Sequence, residues 1–136
     1  MDKKIVPNEI LLKDAAQLLA EGRDVSFTPL GSSMLPFIRG GKDTVTLRAL
    51  SHVDVGDIVL ARLADATYVL HRVVDRNRGL LTLMGDGNLR GTESCTREDI
   101  LGTVVAINGH KPCKGRIWRM LIPFRRILLA LFRRIL

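Results

Sequence analysis

Between Gly22 and Arg116 the chain is a succession of short apolar, β-branched runs broken by Gly, Pro and Asp, with no alternation of strand and helix. Val25–Phe27, Thr44–Leu47, Ile58–Leu63, Tyr68–Val74, Leu80–Met84 and Ile100–Ile107 all read as strands. Ala64-Asp65-Ala66 turns the chain between two of them, and Asn77-Arg78-Gly79 between the next two. Parallel neighbours need long crossovers, usually helical, and none is present, so a doubly wound parallel sheet is excluded. The 136 residues suit a single core. The expected class is mainly β (α+β): a compact antiparallel β domain with one helix at each end.

The first helix is expected from Asn8 as cap to Glu21, with Gly22 as its stop. Leu11, Leu12, Ala15, Leu18 and Leu19 form its apolar stripe. The second spans Arg116 to Leu136. There Phe124, Ile127, Leu128, Leu131, Phe132, Ile135 and Leu136 share one half of the helix. Arg125, Arg126, Arg133 and Arg134 gather on the other, with Arg116 and Arg119 on their side. Pro123 either starts the last segment or kinks a longer helix.

The net charge of +7 is unevenly placed. Eight of the 21 basic residues lie between Lys111 and Leu136 with no acidic one, leaving 13 basic against 14 acidic side chains in residues 1–110. The body, 1–110 with the helix at 8–21, is near neutral, and residues 111–136 form a basic tail. Nucleic acid is therefore an improbable partner for the body, and an aromatic content of 4% supplies few stacking platforms. Arginines in mid-segment would each cost about 2.5–3.5 kcal/mol near a bilayer centre, so the tail is not expected to span one. It is expected to lie on an anionic membrane surface, with Trp118 and the leucines inward and Arg119, Arg125, Arg126, Arg133 and Arg134 on headgroups. The alternative is that it covers an apolar face of its own domain or of a partner. No signal peptide or transmembrane helix is read, and the expected location is cytoplasmic, at the inner face of the membrane. Cys95 and Cys113 lack zinc spacing and are too few for a disulfide framework, although one bridge between them is possible. No metal or cofactor is expected.

Three segments carry possible chemistry: Gly31-Ser32-Ser33-Met34-Leu35-Pro36, Tyr68 to Val74, and Gly85-Asp86-Gly87-Asn88. Ser33 follows a Gly-Ser turn, a context that exposes a hydroxyl beside free backbone N–H groups. His71 is the only histidine in an apolar strand-like run, and Asp86 sits in a Gly-flanked turn after a strand. A serine becomes a nucleophile when a base within reach takes its proton, and the base serves best when an acid orients it. Taken alone, such residues also occur as half-buried structural groups and ordinary turns.

Their order adds information. Ser33-Met34-Leu35-Pro36 resembles the Ser-Met-x-Pro nucleophile box of type I signal peptidases. Val55-Gly56-Asp57-Ile58-Val59-Leu60 resembles the Gly-Asp-Ile-Val strand of that family, and Val69 to Val74 its base-bearing strand. Met84-Gly85-Asp86-Gly87-Asn88 is similar to the Gly-Asp-x-Asn box, and Ile100 to Val105 to the closing Ile-x-Gly-x-Val strand. The resemblance, over about residues 25–107, is to the superfamily joining signal peptidases with the SOS-repressor autoproteases, and is closest to small anchorless bacterial relatives.

The resemblance implies a serine endopeptidase with Ser33 as nucleophile and His71 as base, as in the endoplasmic-reticulum branch. Asp86 is the favoured acid and Glu93 the alternative. A hydroxyl usual two residues before the nucleophile is replaced by Gly31, so the oxyanion would rest on the Ser33 N–H, with the Ser32 hydroxyl as a second donor. An extended peptide or protein substrate would lie as a strand beside Thr28–Gly31 and Thr67–Leu70, meeting Leu30, Gly31, Met34, Tyr68 and Leu70. Two other outcomes follow from the departures: a peptide-binding module that does not cut, or self-processing as in the SOS repressors. The latter is disfavoured by the histidine base and the absence of an Ala-Gly pair before Ser33.

Overall fold

The alternating runs assemble as expected into one antiparallel sheet, with a strand more than the sequence suggests. A computed structural model describes residues 8–135; the segment before Asn8 and Leu136, which was counted in the tail's apolar face, lie outside the described residues. The elements are α1 (Asn8–Ala20), β1 (Val25–Phe27), β2 (Val45–Arg48), β3 (Ile58–Arg62), β4 (Tyr68–Asn77), β5 (Leu80–Met84), β6 (Glu93–Cys95), β7 (Ile100–Ile107), α2 (Arg116–Met120) and α3 (Arg125–Ile135). The order across the sheet is β1-β2-β7-β3-β4-β5-β6, and every pairing is antiparallel. The unexpected strand is β6. Its three residues, Glu93-Ser94-Cys95, are too short and too polar to show a period of two.

Central β3 is buried on both faces, and its alternation sorts the core into two layers. Ile58 and Leu60 join Leu12, Ala15, Ala16 and Leu19 of α1, while Val59 and Ala61 join Val73, Leu81, Leu83 and Cys95. The first layer holds α1 against β1, β4 and β7. Helix α1 ends as expected at Gly22, whose φ of 81° lets its N–H reach Leu19 O (3.0 Å) while Arg23 N–H reaches Leu18 O (3.2 Å). Asn8, expected as a cap, instead accepts the Leu30 N–H on its Oδ1 at 3.1 Å, tying α1 to the loop before Ser33. Both cysteines are free, and burial pushes the Cys95 thiol up to about 11, with the Asp99 and Glu93 charges adding to the effect.

The tail differs from one amphipathic helix. It breaks after α2 into a 3-10 turn, Ile122–Phe124, containing Pro123, and resumes as α3. Its arginines do not share one wet face. Arg125, Leu129 and Phe132, at i, i+4 and i+7, turn toward the body, and Arg125 and Leu129 are buried there. Trp118 is buried as well, edge-on to Phe37 (6.1 Å) and Phe132 (5.9 Å). The reading of Trp118 and Arg125 as membrane-contacting residues is thus corrected: both are part of the domain's packing. No described helix is long and apolar enough to cross a membrane.

Candidate active site

Ser33 sits in a compact turn, residues 33–37, between β1 and β2, closed by Leu35 N–H to Ser32 O (3.2 Å) and by Phe37 and Ile38 N–H to Met34 O (both 3.0 Å). Met34 anchors this turn in the α1 layer of the core. The Gly-Asp-Gly turn after β5 packs directly on it. Gly87 N–H donates to Ser33 O (2.7 Å), and Asp86 N–H points at Met34 Sδ (3.4 Å). Glycine is required on both sides of Asp86. A Cβ on Gly85 would stand 2.4 Å from Ser33 O, and one on Gly87 would stand 2.2 Å from Ser32 O. The two boxes that the sequence singled out are therefore one structural unit.

His71, in β4, lines the same cleft as Ser33. The cleft has about 110 Å³ of room, and Leu30, Gly31, Met34, Tyr68 and Leu70, the expected substrate contacts, also line it. The imidazole is mostly buried, and its Nδ1–H donates to Oε1 of Glu93. The sheet explains how a residue two strands away arrives there. Glu93 is opposite Leu83 and Leu83 opposite Val73, so Glu93 shares a face with Val73 and with His71 two residues before it. Nδ1 is thereby held as the donor, leaving Nε2 as the basic nitrogen. Among the described residues neither Nε2 nor the Ser33 hydroxyl has a hydrogen-bond partner, and the backbone N–H groups of Ser33 and Met34 are likewise unspent. Such contacts commonly tighten only around bound substrate.

Asp86, the favoured acid, does not face His71. It is fully buried on the Arg72 guanidinium, with Nε to Oδ1 at 2.9 Å and Nη2 to Oδ2 at 2.8 Å. Adjacent strand residues point to opposite faces, so His71 and Arg72 take different carboxylates: Glu93 for the first, Asp86 for the second. Arg72 also donates through Nη1 to the carbonyls of Gly56 and Cys113, each at 2.8 Å, and lies 5.0 Å from the Phe37 ring centroid. Burial pushes the Asp86 carboxyl above the usual carboxylate value, while the hydrogen bonds and charge of Arg72 pull the other way, as do the charges of Arg125 and His71.

Arg72 directly follows His71 in β4, and strand parity is the one signal in the chain that sets it on the opposite face. The tail completes the unit. Trp118 Nε1–H donates to Asp86 O (2.9 Å) and Arg125 Nη1–H to Gly85 O (3.1 Å). Burial pushes the Arg125 guanidinium below its ordinary value, with the Asp86 charge opposing and the Arg72 charge adding to the effect.

Of the remaining expected residues, Ser32 lies on the exposed rim, outside the cleft itself. Arg119 is half-buried, and Arg126, Arg133 and Arg134 are exposed. Comparison with protein-family models produced no match, and no curated protein matched the chain.

Proposed function

We propose that the chain is a serine endopeptidase of the signal-peptidase type that cuts an extended peptide. The observation that carries this reading is that Ser33 and His71 line one cleft while Glu93 holds the imidazole Nδ1. In the reaction, Ser33 Oγ attacks the scissile carbonyl as His71 Nε2 takes its proton. The tetrahedral oxyanion is met by the unspent Ser33 N–H, with the Ser32 hydroxyl as a second donor. The protonated imidazole then gives its proton to the leaving amine, and water, activated by the same nitrogen, hydrolyses the acyl-enzyme. Glu93 keeps the tautomer and stabilises the imidazolium.

The substrate's place follows from an open strand edge. β4 pairs with β3 along Tyr68–Arg72, but β5 pairs with it only from Arg72 onward. The other edge of Tyr68–His71 therefore has no strand partner among the described residues, and a peptide can add there with main-chain hydrogen bonds. Incubating the protein with a mixed peptide library and reading the products by mass spectrometry tests the activity. Cleavage that disappears in Ser33→Ala supports it; peptide binding with no cleavage in the wild type would instead make the chain a non-cutting module.

The proposal includes an anionic membrane surface as the place of work. Ile127, Leu131 and Ile135, at i, i+4 and i+8 of α3, form a second apolar face, and with Ile117, Met120 and Phe124 they are between 53% (Leu131) and 78% (Met120, Ile135) exposed. No acidic residue lies in 111–136, and Arg134 borders this face, so its charge suits an anionic bilayer. The protein should sediment with phosphatidylglycerol vesicles, and Ile127→Asp with Leu131→Asp should weaken that at least about tenfold. Unchanged vesicle binding by the double variant would overturn the idea, as would concentration-dependent dimerisation without vesicle binding.

A further inference from the structure

Of the tail's arginines, Arg133 lies beside the nucleophile loop, and Arg126 faces the Gly87–Arg90 turn next to it. The candidate cleft adjoins a shallow depression of about 230 Å³ at Gly31 and Gly40, whose other walls include Ser32, Arg39, Lys42 and Arg133. Arg133 is shared with a wider depression of about 620 Å³ between the Gly87–Arg90 turn and the tail, which Arg90 and Arg126 also line. Shared lining residues, Gly31 and Gly40 for the first two and Arg133 for the second and third, link the depressions in a series from Tyr68 and Leu70, past Ser32 and Ser33, to Arg90.

The charge along this path is one-sided. No aspartate or glutamate lines either basic depression. Arg39 is matched by Asp43 at 2.8 Å, but Lys42, Arg90, Arg126 and Arg133 make no ion pair among the described residues. Lys42 and Arg90 belong to a body with slightly more acidic than basic residues, and Arg126 and Arg133 to the wholly basic tail, so the four gather where the two meet. All four are exposed, so their pull on an opposite charge comes from their number along one path rather than from burial. The apolar cleft has no such feature: apart from His71 it is lined by no ionisable group but Tyr68.

We infer that the preferred substrate is a peptide with an acidic segment flanking the cleaved bond: an uncharged stretch lies along Tyr68–Leu70, and Asp or Glu residues beyond Ser33 meet Lys42, Arg133, Arg126 and Arg90. The inference deepens the peptidase reading and rests on it for the term substrate. A peptide is favoured over a phosphate polymer or a bilayer because the basic path continues from a cleft with an open strand edge.

The test separates binding from cutting. Fluorescence anisotropy with Ser33→Ala compares peptides sharing an apolar half and carrying Glu-rich, neutral or Lys-rich segments on either side of it. The Glu-rich peptides should bind most tightly, with an advantage that shrinks as salt rises. Arg126→Glu with Arg133→Glu, both exposed, should erase that advantage, a loss of roughly tenfold, while leaving the neutral peptide unchanged; melting temperature checks that the variant is folded. Equal binding of acidic and neutral peptides would overturn the inference. So would a double variant that keeps peptide preference but loses binding to anionic vesicles. Because binding is measured without Ser33, absence of cleavage by the wild type would count against the peptidase and leave the charge preference to stand or fall by itself.

Discussion

His71→Ala is expected to lower kcat/KM for peptide cleavage by about 10³-fold or more, and Glu93→Gln by between about 10²- and 10⁴-fold, with both proteins folded. The glutamine can still sit beside the ring, but it can donate to Nδ1 as well as accept from it, and it carries no charge for the imidazolium that forms. A base whose tautomer is lost cannot take the serine proton, so the loss should appear mainly in kcat. Glu93 is partly exposed and at a sheet edge, so its replacement should barely move the melting temperature. Kinetics on the purified variants, with thermal melting as control, check this. Glu93→Gln with unchanged kcat would mean that the contact to His71 has no part in the chemistry.

The second large effect concerns stability. Arg72→Met should destabilise the fold by about 3–5 kcal/mol, because it leaves the Asp86 carboxylate buried without its guanidinium and strands the Gly56 and Cys113 carbonyls. Arg72→Met with Asp86→Leu should lose less than Arg72→Met alone, since the carboxylate leaves with its partner. Some loss remains, because the buried Arg125 then lacks the Asp86 charge that opposes the effect of its burial. The pH dependence has a defined sign. Burial raises the Asp86 carboxyl in the folded protein, and removing Arg72 raises it further. A carboxyl raised on folding favours the fold below its unfolded value and costs stability as pH rises through the folded value. Acidification from neutral pH toward the ordinary carboxylate range should therefore recover part of what Arg72→Met loses. Urea unfolding at two pH values measures it; a loss in Arg72→Met that does not shrink on acidification would show that the stranded Asp86 charge is not the reason.

The fold was legible because its strands carry their own signal. Six runs with strong β propensity were separated by turn residues, and the seventh strand lacked both length and apolar content. The site was legible in its members and not in its pairings. Ser33, His71, Asp86 and Glu93 are all visible in the chain, but which carboxylate meets His71 depends on the register Val73–Leu83–Glu93 and on the opposite facing of His71 and Arg72. The tail misled for a related reason. Its apolar residues form two arcs, Leu129 with Phe132 inward and Ile127, Leu131 and Ile135 outward. The helical projection groups Phe132 with the outward residues, omits Leu129 and assigns Arg125 to water, whereas Leu129 is buried and Arg125 is buried over the Trp118 ring at 5.4 Å.

The central claim is that Ser33 is a nucleophile activated by His71. A fluorophosphonate reagent tests it most directly, because an activated serine displaces fluoride and keeps the phosphonyl group. Intact mass followed by peptide mapping should find one adduct per chain, on Ser33 alone, absent from Ser33→Ala and formed far more slowly in His71→Ala. No adduct on the folded wild-type protein, or one on a different residue, would contradict the account.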